Sequence, residues 1–467
     1  MLADALPAVS WLVGPANMSE HANYHPSAGE DLTARILKAL AANPDVYKKT
    51  LFLFNYDEGG QFFDHVMPFT APQSDADGAS TVSTHGESWL GLPIGPGFRV
   101  ALMAISPWSR GGYVVSEAFD HTSSLRLIEK RFNVSIPNIS PWRRALLGDL
   151  TSALDFSSPD YSTDWVGSLP DTSAYPAESI KECDTLPPPR VPAVQSMPAQ
   201  EPGVRPARAL PYALLVTAAN GGGAGLTLLL NNTGTAGIPL LAYDYSQPEV
   251  PAPRKFGVAA GATLAGVLSL SWPAPYSVAL HAPNGFAREY VGAGAAAEAG
   301  AAADVAFDAA GRRVLLALGA GSYTVVDMAY GSGGPWQVAG PAVWPWDASK
   351  SANWYDLQVT LKGAAGWSRR AMGHMENGLP STSDPVRFCS ATASQNTRAK
   401  SISPPPPFPQ YFLTRPSLHS TTQAPASAPA LHPFEHPAHH HDVPEELRQV
   451  PRRENSGWPS FVSRDEM

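Results

Sequence analysis

The chain has 467 residues, a formal net charge of -9 and 44% hydrophobic residues, enough apolar material for cores in roughly three domains of about 150 residues each. The acidic balance, with no basic helix or polybasic run, excludes a nucleic-acid binder and charge-driven attachment to an anionic membrane. Two cysteines, Cys183 and Cys389, cannot build a disulfide framework or a zinc knuckle, and no apolar run approaches the about 18 residues of a membrane span.

Met1-Leu2-Ala3-Asp4 lacks the basic start of a signal peptide. Ser19-Glu20-His21-Ala22-Asn23-Tyr24-His25-Pro26 reads as a loop. Leu32, Ile36, Leu37 and Leu40 then recur at helical spacing and predict a helix over 31–43, stopped at Asn43-Pro44 because proline disfavours helix in the residue before it. Leu51 to Phe54 is a continuous apolar run, which suits a central strand of a parallel sheet. It leads into Asn55-Tyr56-Asp57-Glu58-Gly59-Gly60-Gln61-Phe62-Phe63-Asp64-His65. In open α/β sheets ligands bind beyond the carboxyl ends of strands, which is where Asp57 and Glu58 fall.

A second short strand is predicted over 98–105, running into Ser106-Pro107-Trp108-Ser109-Arg110-Gly111-Gly112. Phe119-Asp120-His121-Thr122-Ser123-Ser124 follows, with capping residue types ahead of an amphipathic helix carrying Leu125, Leu127, Ile128 and Phe132.

Carboxylates and imidazoles on separate loops can hold a divalent metal, which polarises a phosphoryl oxygen. Histidine can also protonate a leaving oxygen, and the planar fork of Arg110 can pair with a phosphate. The bland alternatives are a solvated strand-end loop for Asp57 and Glu58, surface or capping roles for His21 and His25, and a hydrogen bond between His65 and Asp64. Spacing alone leaves the reaction undecided.

Residues 161–208 are proline-rich and predict an extended linker. Beyond them, short apolar runs over 212–217, 226–230, 237–243, 263–272 and 276–282 are separated by Gly, Asn and Pro, as in an antiparallel β-sandwich. Pro283-Asn284-Gly285 marks a tight turn. A second copy with strands over 314–318, 323–328 and 354–361 suggests an internal repeat, since 363–372 ends it as 283–292 ends the first. Trp336, Trp344, Trp346, Trp354 and Trp367 suit a lipid or sugar face, but core packing is the favoured reading. Residues 387–467 are low in complexity, with His432, His436, His439, His440 and His441, and predict disorder.

The segments around Ser19-Glu20-His21, Asn55 to Val66, Ile105 to Gly112 and Phe119 to Ser123 resemble, in that order, the C-terminal half of bacterial phosphocholine-specific phospholipase C, of the phosphoesterase family. Asn138-Ile139-Ser140-Pro141-Trp142-Arg143-Arg144 and Gly148 to Phe156 continue the likeness, and Trp354 to Leu357 with Gly378 to Pro385 extends it. The resemblance implies a partial α/β catalytic domain of alkaline-phosphatase-like fold (1–160), a linker (161–208), two all-β sandwich domains (209–295 and 300–386) and a disordered tail (387–467).

It implies Asp57, Glu58 and Asp64 as divalent-metal acids, His21, His65 and His121 as catalytic histidines, and Arg110 as a substrate contact. The implied substrate is a phosphocholine-containing phospholipid, cleaved outside the cell to release phosphocholine. In relatives a Glu-Asn metal motif and a Ser or Thr nucleophile precede this segment, so the expectation is a catalytic domain missing its N-terminal half. A related phosphomonoesterase and a catalytically inactive fragment acting as a binding protein are the alternatives.

Overall fold

A computed structural model describes residues 4–385, apart from 61, 63, 189, 194–200, 221–225, 247–251, 266–274, 293–299, 309 and 311. The tail histidines and Cys389 lie outside the described residues.

Helix α1 (Pro26–Ala41) begins at a proline, which is tolerated in the first turn, and buries Ala34, Leu37 and Leu40. Asn43 both ends this segment and caps the short α2 (Pro44–Tyr47), its side chain accepting from the Val46 amide. Strand β1 (Phe52–Asn55) follows. Three short strands, β2 (Gly78–Ser80), β3 (Ser88–Trp89) and β4 (Leu92–Pro93), precede β5 (Leu102–Ile105). Helix α3 (His121–Phe132) is closed at its start by a capping box between Asp120 and Ser123 and at its end by Asn133 in the left-handed region. It is followed by α4 (Pro141–Leu146) and α5 (Tyr175–Thr185).

Two expectations need correction. β1 is not a central strand of a parallel sheet: among the described residues it pairs antiparallel with β5 alone, Phe52 opposite Ile105, in a two-stranded sheet. Phe52, Leu53 and Phe54 are accordingly half-buried rather than sealed on both faces, and Asn55 is exposed. The stretch 161–208 is not wholly extended, because α5 lies within it. The prolines concentrate beyond residue 186, and Pro176 sits in the first turn, where it needs no amide hydrogen bond.

The remaining strands build a β-rich region. β6 (Leu214–Asn220), β7 (Leu226–Asn232), β8 (Ile238–Asp244), β9 (Arg254–Val258), β10 (Thr263–Leu264), β11 (Tyr276–His281) and β12 (Ala287–Gly292) form its first half. β13 (Ala303–Asp308), β14 (Arg313–Asp327), β15 (Trp336–Asp347), β16 (Trp354–Leu361) and β17 (Ser368–His374) form its second. A three-stranded sheet, β10-β7-β6, contributes Leu214, Val216, Leu228 and Leu230 to a core whose other wall is Ile238, Leu240, Phe256, Val258, Val278 and Leu280. The period of two in each set is what one buried face requires.

In the second half, β14 buries Val314, Leu316 and Leu318, then Tyr323 and Val325. The switch from even to odd positions occurs at an irregularity between Leu318 and Gly321, where the extra residue keeps both stretches facing one core. The tryptophans follow the packing reading: Trp346 and Trp367 are buried, Trp336 and Trp344 pack against the same cluster, and Trp354 stacks on His374 at 4.2 Å.

The two halves share one sheet, ordered β13-β14-β16-β17-β12-β11-β8-β9-β2. β12 and β17 pair antiparallel about the Glu289–Arg370 position, and two arginines make matching contacts on either side of it. Arg288 lies over Phe286 at 4.0 Å and donates to Ala287 O, Met372 O and the Tyr355 hydroxyl. Arg369 lies over Trp367 at 4.5 Å and donates to Ser368 O, Val291 O and the Tyr276 hydroxyl. Each buried guanidinium meets its own strand, its neighbour strand, a ring and a phenol, in matching positions.

The N-terminal segment joins this sheet through β2, parallel to β9. A Cβ at Gly78 would stand 1.8 Å from the Lys255 carbonyl oxygen, so glycine is needed for the pairing. Substituting Arg288 or Arg369 by Met removes matched buried hydrogen-bond sets. Each variant should lower stability by about 2–3 kcal/mol, read from denaturant midpoints; widely different costs would contradict their equivalence.

Candidate functional site

The site gathers where β1 ends and α3 begins. His121, the first residue of α3, places Nε2 3.0 Å from the backbone oxygen of Tyr56. A carbonyl can only accept, so Nε2 carries the hydrogen and Nδ1 keeps the lone pair in the neutral ring. Tyr56 in turn donates its hydroxyl to Glu20 in the loop before α1. Burial, reinforced by the Glu20 carboxylate, pushes the Tyr56 phenol up to about 12, so it stays a donor at neutral pH. Asp57 and Glu58, next along the chain, are exposed, with the Glu58 amide donating to Asp57 Oδ1. Glu20 and Tyr56 were not singled out from the sequence as acting residues. Both lie inside quoted motifs, but 36 residues separate them and no spacing pattern links them.

What holds His121 is a buried ionic cluster. Asp120 caps α3, its Oδ1 accepting from the Thr122 amide at 2.9 Å, while its other oxygen meets Arg143 on α4. Arg143 also holds Glu87 at 2.8 Å and the Gly95 carbonyl at 2.9 Å. Ser140, the N-cap of α4, donates to Glu87 at 2.5 Å. Burial opposes the charge on Arg143, yet Glu87 and Asp120 outweigh it and raise its pKa above the usual guanidinium range.

The other expected residues are placed elsewhere or otherwise engaged. Both oxygens of Asp64 are taken by Arg99, each at 2.7 Å, and this fork holds the Asp64 carboxyl well below the usual range. His65 is exposed, 3.7 Å from the same carboxylate. His21 is exposed and accepts the Asn23 amide on Nδ1. Arg110, expected to reach a phosphate, instead ties the loop after β5 to Asp160, Ser162 and Asp164, at 3.4, 2.8 and 3.3 Å. Two carboxylates around one guanidinium repel an incoming phosphate. His25 contacts Ser179 and Cys183 on α5, which makes it a helix-packing residue.

Asp64 is committed to Arg99, and among the described residues no three His, Cys, Asp or Glu side chains converge as a metal site. Asp57, Glu58 and Asp64 thus do not fit a divalent ion as they stand, and such an ion would need donors beyond Asp57 and Glu58.

A Ser381–His374–Glu376 chain, with contacts of 2.7 and 3.2 Å, has the order of a nucleophile, base and acid. All three are buried, and Ser116 of the N-terminal segment donates to the same Glu376 oxygen at 2.8 Å. The group is a joint between the N-terminal segment and the β-rich region.

Residues 1–135 match the Phosphoesterase family, and residues 206–293 match the family described as Bacterial phospholipase C, C-terminal domain. The chain is 41% identical over 411 residues to the Non-hemolytic phospholipase C of Burkholderia pseudomallei, covering 82% of this chain and 57% of that protein. It is 40% identical over 415 residues to the protein of the same name from Pseudomonas aeruginosa, covering 82% and 59%. It is 39% identical over 435 residues to the Hemolytic phospholipase C of Pseudomonas aeruginosa, covering 83% and 58%. The chain therefore spans somewhat under three fifths of the length of these relatives.

Glu87→Ala should destabilise the protein by about 3–5 kcal/mol, because it leaves Arg143 buried with less compensation; an unchanged unfolding midpoint would refute the role of the cluster. For Asp64 the folded pKa is depressed, so the Arg99 pair contributes stability above the unfolded carboxyl value of about 4 and loses it as pH falls below that. Asp64→Asn should cost stability at pH 7 and progressively less in acid, as followed by unfolding at several pH values.

Proposed function

We propose, for a chain related to the bacterial phospholipases C of the phosphoesterase family, that it acts in hydrolysis of a phosphodiester lipid at the glycerol side of phosphocholine. Water adds its hydroxyl to phosphorus, the bond from phosphorus to the glycerol oxygen breaks, and a proton passes to that oxygen to release diacylglycerol. The carrying observation is His121, fixed by helix capping against the Tyr56 carbonyl and beside the exposed Asp57-Glu58 pair. A histidine held in one tautomer at a strand end can move that proton. The hydrogen bond from Tyr56 to Glu20 ties the end of β1 to the loop before α1. The same reading extends to an alkaline-phosphatase-like fold for residues 1–160, sandwich packing for the β-rich region, and action outside the cell.

A second reading, lipid binding without turnover, is favoured by the engagement of Asp64 with Arg99 and of Arg110 with Asp160 and Asp164. The test is release of phosphocholine from phosphatidylcholine in the presence of divalent metals. Turnover that falls about 10²–10⁴-fold in His121→Ala, and falls also in Asp57→Asn, supports the hydrolase. Turnover unaffected by either change would sink the site assignment, and none in the wild type would favour binding alone.

A further inference from the structure

We propose that the β3–β4 hairpin is a membrane anchor that seats this protein on an uncharged, zwitterionic phospholipid surface. Trp89 and Leu92 face each other across the hairpin, and Leu90 and Gly91 form its turn, with positive φ values of 50° and 78°. Trp89, Leu90 and Leu92 are 72%, 86% and 69% exposed, and Ile94 and Phe98 just beyond are 52% and 55% exposed. Such a run of large exposed apolar side chains marks an interaction site. The eleven residues from Ser88 to Phe98 include no charged side chain.

The occupant follows from area and charge. Five side chains on and just beyond a two-stranded hairpin fall far short of the about 20–30 residues a side that a stable protein interface uses. A lipid surface needs no complementary partner shape, and tryptophan with leucine at a tip is the composition that favours the boundary between headgroups and acyl chains. With no Lys or Arg on the tip and a chain charge of -9, an anionic surface is disfavoured and a zwitterionic one is matched.

The tip is also tethered to the candidate site at both roots. Glu87, immediately before β3, holds Arg143 and through it Asp120, the residue before His121. Arg99, immediately after Phe98, holds Asp64. Insertion of the hairpin would therefore fix the height of the strand-end residues above the headgroups. The choice of lipid rests on the phospholipase reading; the anchoring does not require turnover.

The test is cosedimentation of the full chain with phosphatidylcholine vesicles. Leu90→Asp combined with Leu92→Asp should lower the partition coefficient at least about tenfold, with circular dichroism unchanged. In case that pair misfolds, brominated phosphatidylcholine should quench wild-type fluorescence more than that of the conservative Trp89→Phe variant. Equal partition of wild type and folded double variant, or equal quenching with and without Trp89, would overturn the anchor. So would a change of the double variant from dimer to monomer with vesicle binding intact, which would assign the tip to a second copy. Hydrolysis of a soluble phosphocholine ester, measured alongside, separates the two ideas: its absence counts against the catalytic reading and leaves vesicle binding to decide the anchor.

Discussion

The guanidinium of Arg143 ties the carboxylates of Glu87 and Asp120 and the carbonyl of Gly95 into one buried cluster, and most of the site geometry hangs from it. Asp120 sets where α3 starts, the start of α3 sets His121, and His121 rests on the strand-end carbonyl of Tyr56. A buried ion pair of this kind is weak evidence for stability, since apolar replacements of the whole set can be neutral. What it supplies is direction. A guanidinium satisfied by a planar fork accepts few alternative arrangements of its partners, so helix, hairpin and strand end are held in one relation.

The β-rich region is organised by a similar device used twice. Arg288 and Arg369 occupy matching positions about the β12–β17 pairing, each against a ring, a phenol and two carbonyls. The two halves meet through β12 and β17, and each supplies the other's arginine with a carbonyl and a phenol as acceptors.

Much of this was legible in the residues. α3 follows its apolar spacing, β1 its apolar run, and the turn at Asn284-Gly285 its φ requirements, with values of 69° and 64°. The 12-residue β15 escaped notice because Pro341 and Pro345 argue against a strand. Among the described residues β15 pairs with β14 alone, and an edge strand tolerates proline. β9, with Arg254, Lys255 and Gly257, lacks the alternation that would announce it. Within the site, His121, Asp57 and Glu58 were visible as residue types near strand and helix ends. The partners of Asp64 and Arg110 were not, because Arg99 lies 35 residues from Asp64, and Asp164 lies 54 from Arg110. Such long-range pairings leave no local pattern.

The three residues of β2 carry a consequence for how this architecture can be taken apart. They cover the outer edge of β9, and without them a row of unsatisfied backbone donors and acceptors would face solvent at the end of the sheet. The β-rich region is therefore not an interchangeable cassette. Excised by itself, it would carry a sticky open rim, and a substitution at Gly78 that blocks pairing would produce the same rim within the intact chain. Edge protection thus couples solubility of the β-rich region to correct folding of its neighbour, so that the two parts are constrained to change together.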